Sequence, residues 1–156
     1  MISRERKDEH DYVSVKKSDE GCRSLVGKGK GKQDIWLANY CVLDHGKPDG
    51  SILHEFIHAW GFSHEHNRHD RNDYVQVLKE NIDDTKWHNF KMKADYKTFG
   101  VPYDYGSIMH YSSSGFRNES ISKDKNTIES KVIKFIYSEK ATKFCKISTL
   151  LLTGNT

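Results

Sequence analysis

An α+β fold follows from the order of three segments. Tyr12, Val13 and Val15 alternate with polar neighbours, the period-two pattern of a short strand. Asp34 to Leu37 reads as a second strand from its Ile35-Trp36-Leu37 content, because β-branched and aromatic side chains suit a pleated surface. Ser51 to Trp60 then switches to a helical period. At about 100° per residue, Ile52, Leu53, Phe56, Ile57, Ala59 and Trp60 fall in one apolar arc while His54 and His58 fall together outside it. Strands followed by one substantial helix make an α+β order.

The connecting segments fit the same scheme. Met1 to His10 is strongly charged without an apolar stretch, so neither a secretory signal nor a membrane span is expected there. Gly21 to Lys32 interleaves Gly27, Gly29 and Gly31 with lysines, but the phosphate-loop pattern G-x-x-x-x-G-K-[ST] fits it in no register. Asp44 to Gly50 is a polar turn containing Pro48-Asp49-Gly50. Ser51 is expected to cap the helix, which runs to about Trp60. Gly61 ends it, since glycine tolerates the left-handed conformation that a helix C-terminus usually needs. Further on, Asp84 to Ala94 reads as a short helix whose Trp87 and Phe90 fill a core. The end of the chain is lysine-rich, and Leu150-Leu151-Leu152 is far too brief to span a bilayer.

Composition narrows the function classes. A chain of 156 residues and 18.1 kDa holds one domain at most. Hydrophobic residues at 35% against 30% charged leave a lean core, which argues for covalent or metal support. A formal charge of +3 with scattered lysines excludes the clustered basic face of a nucleic-acid binder.

Residues 54 to 64 read His-Glu-Phe-Ile-His-Ala-Trp-Gly-Phe-Ser-His. Two histidines four apart stand one above the other on a helix, so His54 and His58 can share one metal ion. The turn at Gly61 brings His64 round as a third ligand. Three protein ligands on Zn²⁺ leave a fourth position for water, the arrangement of a catalytic rather than a structural site. Glu55 is rotated off the line of ligands and is placed to act as a general base, not to bind the metal. His66, His69 and His110 lie near the site in sequence and read as polar or packing residues, because three ligands suffice.

The run from His54 to His64 looks like the extended motif of the metzincin metalloproteases. Phe62 to Val75 resembles the astacin family in particular, and Tyr105-Gly106-Ser107-Ile108-Met109-His110-Tyr111 looks like the astacin methionine turn. The resemblance implies a metzincin-like fold: a partial twisted upper sheet with the active-site helix, and an irregular lower lobe carrying that turn. It implies one Zn²⁺ per chain held by His54, His58 and His64, with Glu55 as base. Tyr111 would be a mobile extra ligand that swings to hold the oxyanion, and Met109 a hydrophobic floor under the metal. Glu65 either accepts the amine of a mature N-terminus, as in astacins, or is an ordinary surface glutamate. Asp70, Arg71 and Asp73 read as structural charges around that turn. Gly21 to Lys32 either borders the substrate cleft or is a flexible surface loop.

By the same resemblance Cys22 pairs with Cys41, a cross-link worth roughly 3 kcal/mol in the chain-entropy model. Cys145 is left over. Asn118-Glu119-Ser120 matches the N-x-S acceptor pattern, in keeping with the secreted, extracellular setting that the family implies. The implied partner is a peptide or protein substrate in extended conformation, without nucleic acid or a membrane span. The resemblance divides the chain into a charged extension (1–10), a partial peptidase domain (11–128) and a divergent lysine-rich segment (129–156). An astacin domain opens with a strand, a long helix and another strand, and none precedes Tyr12. Three functions are therefore open: a zinc endopeptidase; a shortened, non-catalytic domain that binds zinc and peptides or a partner without turnover; or a structural zinc module unrelated to proteases, which a fourth protein ligand closing the metal site would favour.

Overall fold

Alternation at the start of the chain does produce a strand, β1 (Tyr12–Ser18), which pairs in parallel with β2 (Lys32–Ala38). The computed structural model describes residues 7–44, 47–48, 50–120 and 125–131. Cys145, Leu150 to Leu152 and most of the charged first ten residues lie outside them, as does Asp49 of the expected turn. The described residues fall into two compact units, one ending at Ser63 and one starting at His64.

In the first unit, Val13 and Val15 stand opposite Gln33 and Ile35 in the register. Helix α2 (Ser51–Ala59) packs on β2 and Ile35 is fully buried, whereas the two valines stay about half exposed. The glycine-rich connection between the strands is pinned from several sides. Asp11 accepts from the Gly31 N–H and pairs with Lys28 at 2.8 Å. The Gln33 side chain accepts from Gly29 N–H and donates to the Gly27 carbonyl. Gly27 N–H donates to the His58 carbonyl at 2.8 Å. A free surface loop would leave these backbone groups to water; this one belongs to the unit's hydrogen-bonded frame.

Cys22 and Cys41 are joined, with their Cα atoms 6.4 Å apart. The bond ties the start of that connection to α1 (Asn39–Val42), the single turn that follows β2. The polar turn after it is a small antiparallel ladder between β3 (Leu43–Asp44) and β4 (Lys47–Pro48).

At the start of α2, Gly50 and not Ser51 occupies the cap position, and its carbonyl accepts the first helical bond from His54 N–H. The far end closes as a Schellman motif: Gly61 N–H bonds the His58 carbonyl and Phe62 N–H the Ile57 carbonyl, with Gly61 at φ 104°. That is the glycine stop read from the sequence. The apolar arc fares differently. The buried residues of α2 are Glu55 and His58, and Trp60 is 63% exposed. The helix turns its chemistry inward and leaves its last aromatic at the surface.

Among the described residues, the second unit is built from short 3₁₀ turns and one small ladder. The turns Glu65–Asn67 and Arg71–Asp73 lead into β5 (Val75–Val77), which pairs antiparallel with β6 (Ile128–Ser130). The short helix expected over 84–94 is a 3₁₀ helix from Asp84 to Phe90, and Asp83 caps it by accepting from Thr85 N–H. Phe90, Val75, Ile82, Tyr103 and Ile128 form the core, with Trp87, Tyr74, Tyr105 and Tyr111 packed around it. Thr127 is fully buried because its hydroxyl bonds the carbonyls of Ser113 and Gly115. Aromatic rings thus supply most of the volume that the lean aliphatic content does not.

Replacing Gly61 tests the turn that ends α2. A Cβ built there would meet Gly27 Cα at 3.8 Å, an ordinary contact, so the cost lies in the backbone conformation. Gly61→Ala should lower the stability of the chain by about 1–2 kcal/mol in urea denaturation. An unchanged midpoint would contradict the assigned cap.

Candidate metal centre

Each histidine of the predicted set is positioned by a different piece of local structure. His54 and His58 lie four apart on α2, with ring centroids 4.6 Å apart and planes nearly perpendicular. His64 follows the glycine turn at the head of the second unit. Among the described residues, one ligand atom from each of His54, His58 and His64 lies within 4.8 Å of the others. A tetrahedral zinc with bonds of about 2.0–2.1 Å would separate its nitrogens by about 3.4 Å, a spacing inside that limit.

The donor set suits zinc in chemistry as well as spacing. His58 Nδ1 lies 2.8 Å from the Phe62 carbonyl. A carbonyl only accepts, so Nδ1 carries the proton and donates, and Nε2 is the unprotonated nitrogen, the form a metal ligand requires. Burial lowers the His58 pKa, opposed by the Phe62 bond, and favours the neutral imidazole that a metal requires. The backbone turn that stops the helix therefore also sets the tautomer of its most buried histidine.

Glu55 stands on α2 between the two histidines. It is 6% exposed, and no group among the described residues hydrogen-bonds its Oε2. Burial raises its pKa from 4.5 to about 7. Such a carboxylate is costly to keep unless something charged or protic meets it. A cation held by the adjacent imidazoles would draw that pKa back down.

The remaining site residues belong to the second unit. Glu65 N–H bonds the Met109 carbonyl at 3.0 Å, which ties the methionine turn to the residue after His64. Met109 is buried. The Tyr111 ring packs 4.6 Å from that of His64 and 3.9 Å from that of His66. His66, His69 and His110 lie outside the ligand cluster. His66 is fully buried with Nε2 3.2 Å from the Asn89 carbonyl, and burial lowers its pKa strongly. His110 bonds the Tyr103 hydroxyl and the Tyr111 carbonyl, both at 2.6 Å. His69 Nδ1 lies 3.3 Å from the Tyr96 carbonyl.

Sequence reasoning assigned no role to Arg68, which proves central. Its guanidinium forks onto Asp70 at 2.9 and 2.8 Å, bonds Glu65 Oε1 at 2.9 Å, and donates to the carbonyls of Val101 and Pro102. Glu65 Oε1 also accepts from Asp104 N–H. Arg68 thereby holds Asp70 below its ordinary carboxylate pKa. The signal was present in the Glu65-x-x-Arg68-x-Asp70 spacing, but a fork of that kind depends on side-chain direction, which spacing alone does not give. Arg71 is buried and donates to the His66 and Phe90 carbonyls, whereas Asp73 is exposed.

Two histidines on a helix, a glycine stop and a third histidine define a zinc centre of the metalloprotease class. The family model Astacin, which describes a family of peptidases, matches residues 2–150, and the chain belongs to the astacin family. It is 38% identical over 119 residues to Zinc metalloproteinase nas-4 of Caenorhabditis elegans, a match covering 74% of this chain and 36% of that protein. It is 41% identical over 119 residues to Low choriolytic enzyme of Oryzias latipes, covering 74% and 42% respectively. It is 41% identical over 120 residues to Astacin-like metalloprotease toxin 5 of Loxosceles gaucho, covering 75% and 61%. Among solved structures it is similar to High choriolytic enzyme 1, a hatching enzyme zinc-protease from Oryzias latipes, with a TM-score of 0.72 and 35% identity over 84% of this chain and 61% of that one. The match thus spans about a third to three fifths of these relatives' lengths.

The buried carboxylate gives a pH signature. The unfolded chain releases the Glu55 proton near 4.5 and the folded, metal-free chain near 7, so its contribution to stability falls as pH rises between those values. In chelated protein, Glu55→Gln should match the parent below about pH 4.5 and exceed it above pH 7 by up to roughly 3 kcal/mol. Zinc should shrink the difference. A pH-independent difference in denaturation midpoints would refute the buried, unpartnered carboxylate.

Proposed function

We propose that this chain acts as a zinc endopeptidase that hydrolyses peptide bonds in extended polypeptide substrates. The observation that carries the proposal is the Glu55 carboxylate, buried without a partner for Oε2 beside two imidazoles of a three-histidine cluster. His54, His58 and His64 hold the metal. Zinc, when bound, supplies Lewis-acid polarisation of a carbonyl and acidifies a water in its open position.

Glu55 takes a proton from the attacking water as the new C–O bond forms at the scissile carbonyl. It returns that proton to the amide nitrogen as the C–N bond breaks, so the amine leaves neutral. Tyr111 is assigned to the developing oxyanion, supported by the packing of its ring against His64. A hydroxyl aimed at charge that appears only in the transition state lowers the barrier rather than tightening substrate binding. Met109 and Glu65 take supporting roles: Met109 as the apolar floor, and Glu65, gripped by Arg68, as the anchor of the segment that follows the third ligand.

An extracellular setting accompanies this reading. Disulfides persist in oxidising compartments, and Cys22–Cys41 is formed. Among the described residues no helix is long and apolar enough to cross a membrane. A protein that binds peptides without turnover would share the three histidines, but it has no use for a buried carboxylate whose Oε2 meets no hydrogen-bond partner among the described residues.

Peptide hydrolysis by the purified full chain discriminates the two. Chelation should abolish turnover and zinc restore it. Glu55→Ala should cut kcat/KM by about 10²–10⁴-fold with zinc content unchanged. Activity indifferent to that substitution would reject the assigned base, and a zinc-loaded parent that binds peptide yet never cleaves it would identify the binding protein instead.

A further inference from the structure

The sequence holds eight asparagines, of which only Asn118 is followed two positions on by serine or threonine. We infer that Asn118 is a modification site that receives an N-linked oligosaccharide. The inference rests on the extracellular setting proposed above but not on the peptidase chemistry.

The backbone around Asn118 is held while its amide is left available. Arg117 forms an antiparallel bridge with Ile82, and Asn118 N–H donates to the Asn81 carbonyl at 2.8 Å. On the side chain, Oδ1 accepts from Ser120 N–H at 3.0 Å, an Asx turn that sets the carboxamide and the residue at the hydroxyl position in one tight bend. Among the described residues nothing accepts a hydrogen bond from Asn118 Nδ2. Glu119 and Ser120 are exposed.

Asn67 and Asn81 of the same unit differ on each count. Asn67 commits its amide to the carbonyls of Asn89 and Lys91, and Asn81 commits its own to the Asn126 carbonyl. Both are buried, and a glycan at either would break those bonds. At Asn118 the attached group replaces only a hydrogen that the fold does not use.

The chemistry balances with one co-reactant, an oligosaccharide linked through its C1 to a polyprenyl diphosphate, which a transferase of the secretory pathway presents. Asn118 Nδ2 attacks C1 and forms the N–C1 bond. The C1–O bond to the diphosphate breaks, and the diphosphate leaves with the electron pair. One Nδ2 proton passes to a base of the transferase and the other remains on the new glycosyl amide. The hydrogen bond into Oδ1 draws density from the carboxamide and eases loss of that proton. A sugar chain there adds a bulky, hydrated group at the surface of the second unit.

The test is translation of the full chain, behind a cleavable signal sequence, into membranes derived from the endoplasmic reticulum. Only chains protected from added protease are scored. The parent should run as a single glycoform that peptide:N-glycosidase shifts down in one step, with Asn118 recovered as aspartate by peptide mass spectrometry. Asn118→Gln and Ser120→Ala should lose the shift, Ser120→Thr should keep it, and Glu55→Ala should be glycosylated like the parent. Protected parent chains without a shift, or a shift that survives Asn118→Gln, would overturn the inference.

Discussion

His58 donates through Nδ1 to the carbonyl of Phe62 at 2.8 Å, and the candidate centre depends on that bond. It exists because Gly61 adopts φ 104° and turns the chain back across the end of α2. The same turn leaves the His58 carbonyl accepting from two N–H groups, those of Gly61 and Gly27, each at 2.8 Å. One short stretch of backbone thus ends the helix, anchors the glycine-rich connection and fixes which ring nitrogen of a buried histidine carries the proton. Second-sphere acceptors of this kind are carboxylates, backbone carbonyls or water; here a main-chain carbonyl supplies the bond, so it is specified by a glycine and not by an acceptor side chain.

The second unit meets a different constraint. It has few aliphatic residues and only one short ladder among the described residues, and it organises itself through polar links between irregular segments. Arg68 collects Glu65, Asp70 and two carbonyls. Arg71 collects two more. The methionine turn is joined to Glu65 by backbone. Around these links, aromatic rings pack in series from Trp87, stacked on Phe90, through the edge-on Tyr111 to His66. Charged hydrogen bonds that are forked and partly buried are among the stronger polar contacts a protein makes, which suits a region where regular secondary structure contributes little.

The parts of the fold legible in sequence are those with a local cause. Two strands, the zinc helix and its glycine stop followed from periodicity and from the special backbone freedom of Gly61. The three histidines followed from helical spacing plus one turn. What spacing could not give was the face each element buries. The wheel of α2 placed Trp60 in the apolar arc, yet Trp60 is exposed while Glu55 and His58 are buried; burial is decided by what packs against a helix, and a short helix end escapes cover. Ser51 lost the cap position to Gly50 by one residue, the usual uncertainty of helix ends. The Arg68 fork was unreadable because it joins residues two and three apart in an irregular turn, and Gln33 binding the glycine connection depends on a fold that places the two together.

X-ray absorption at the zinc edge of the loaded full chain tests the central claim most directly. A centre held by His54, His58 and His64 predicts a first shell of three imidazole nitrogens and one oxygen donor at about 2.0–2.1 Å, with one imidazole lost in His58→Ala. A shell closed by four protein donors, a sulfur contribution, or a spectrum unchanged by that substitution would contradict it.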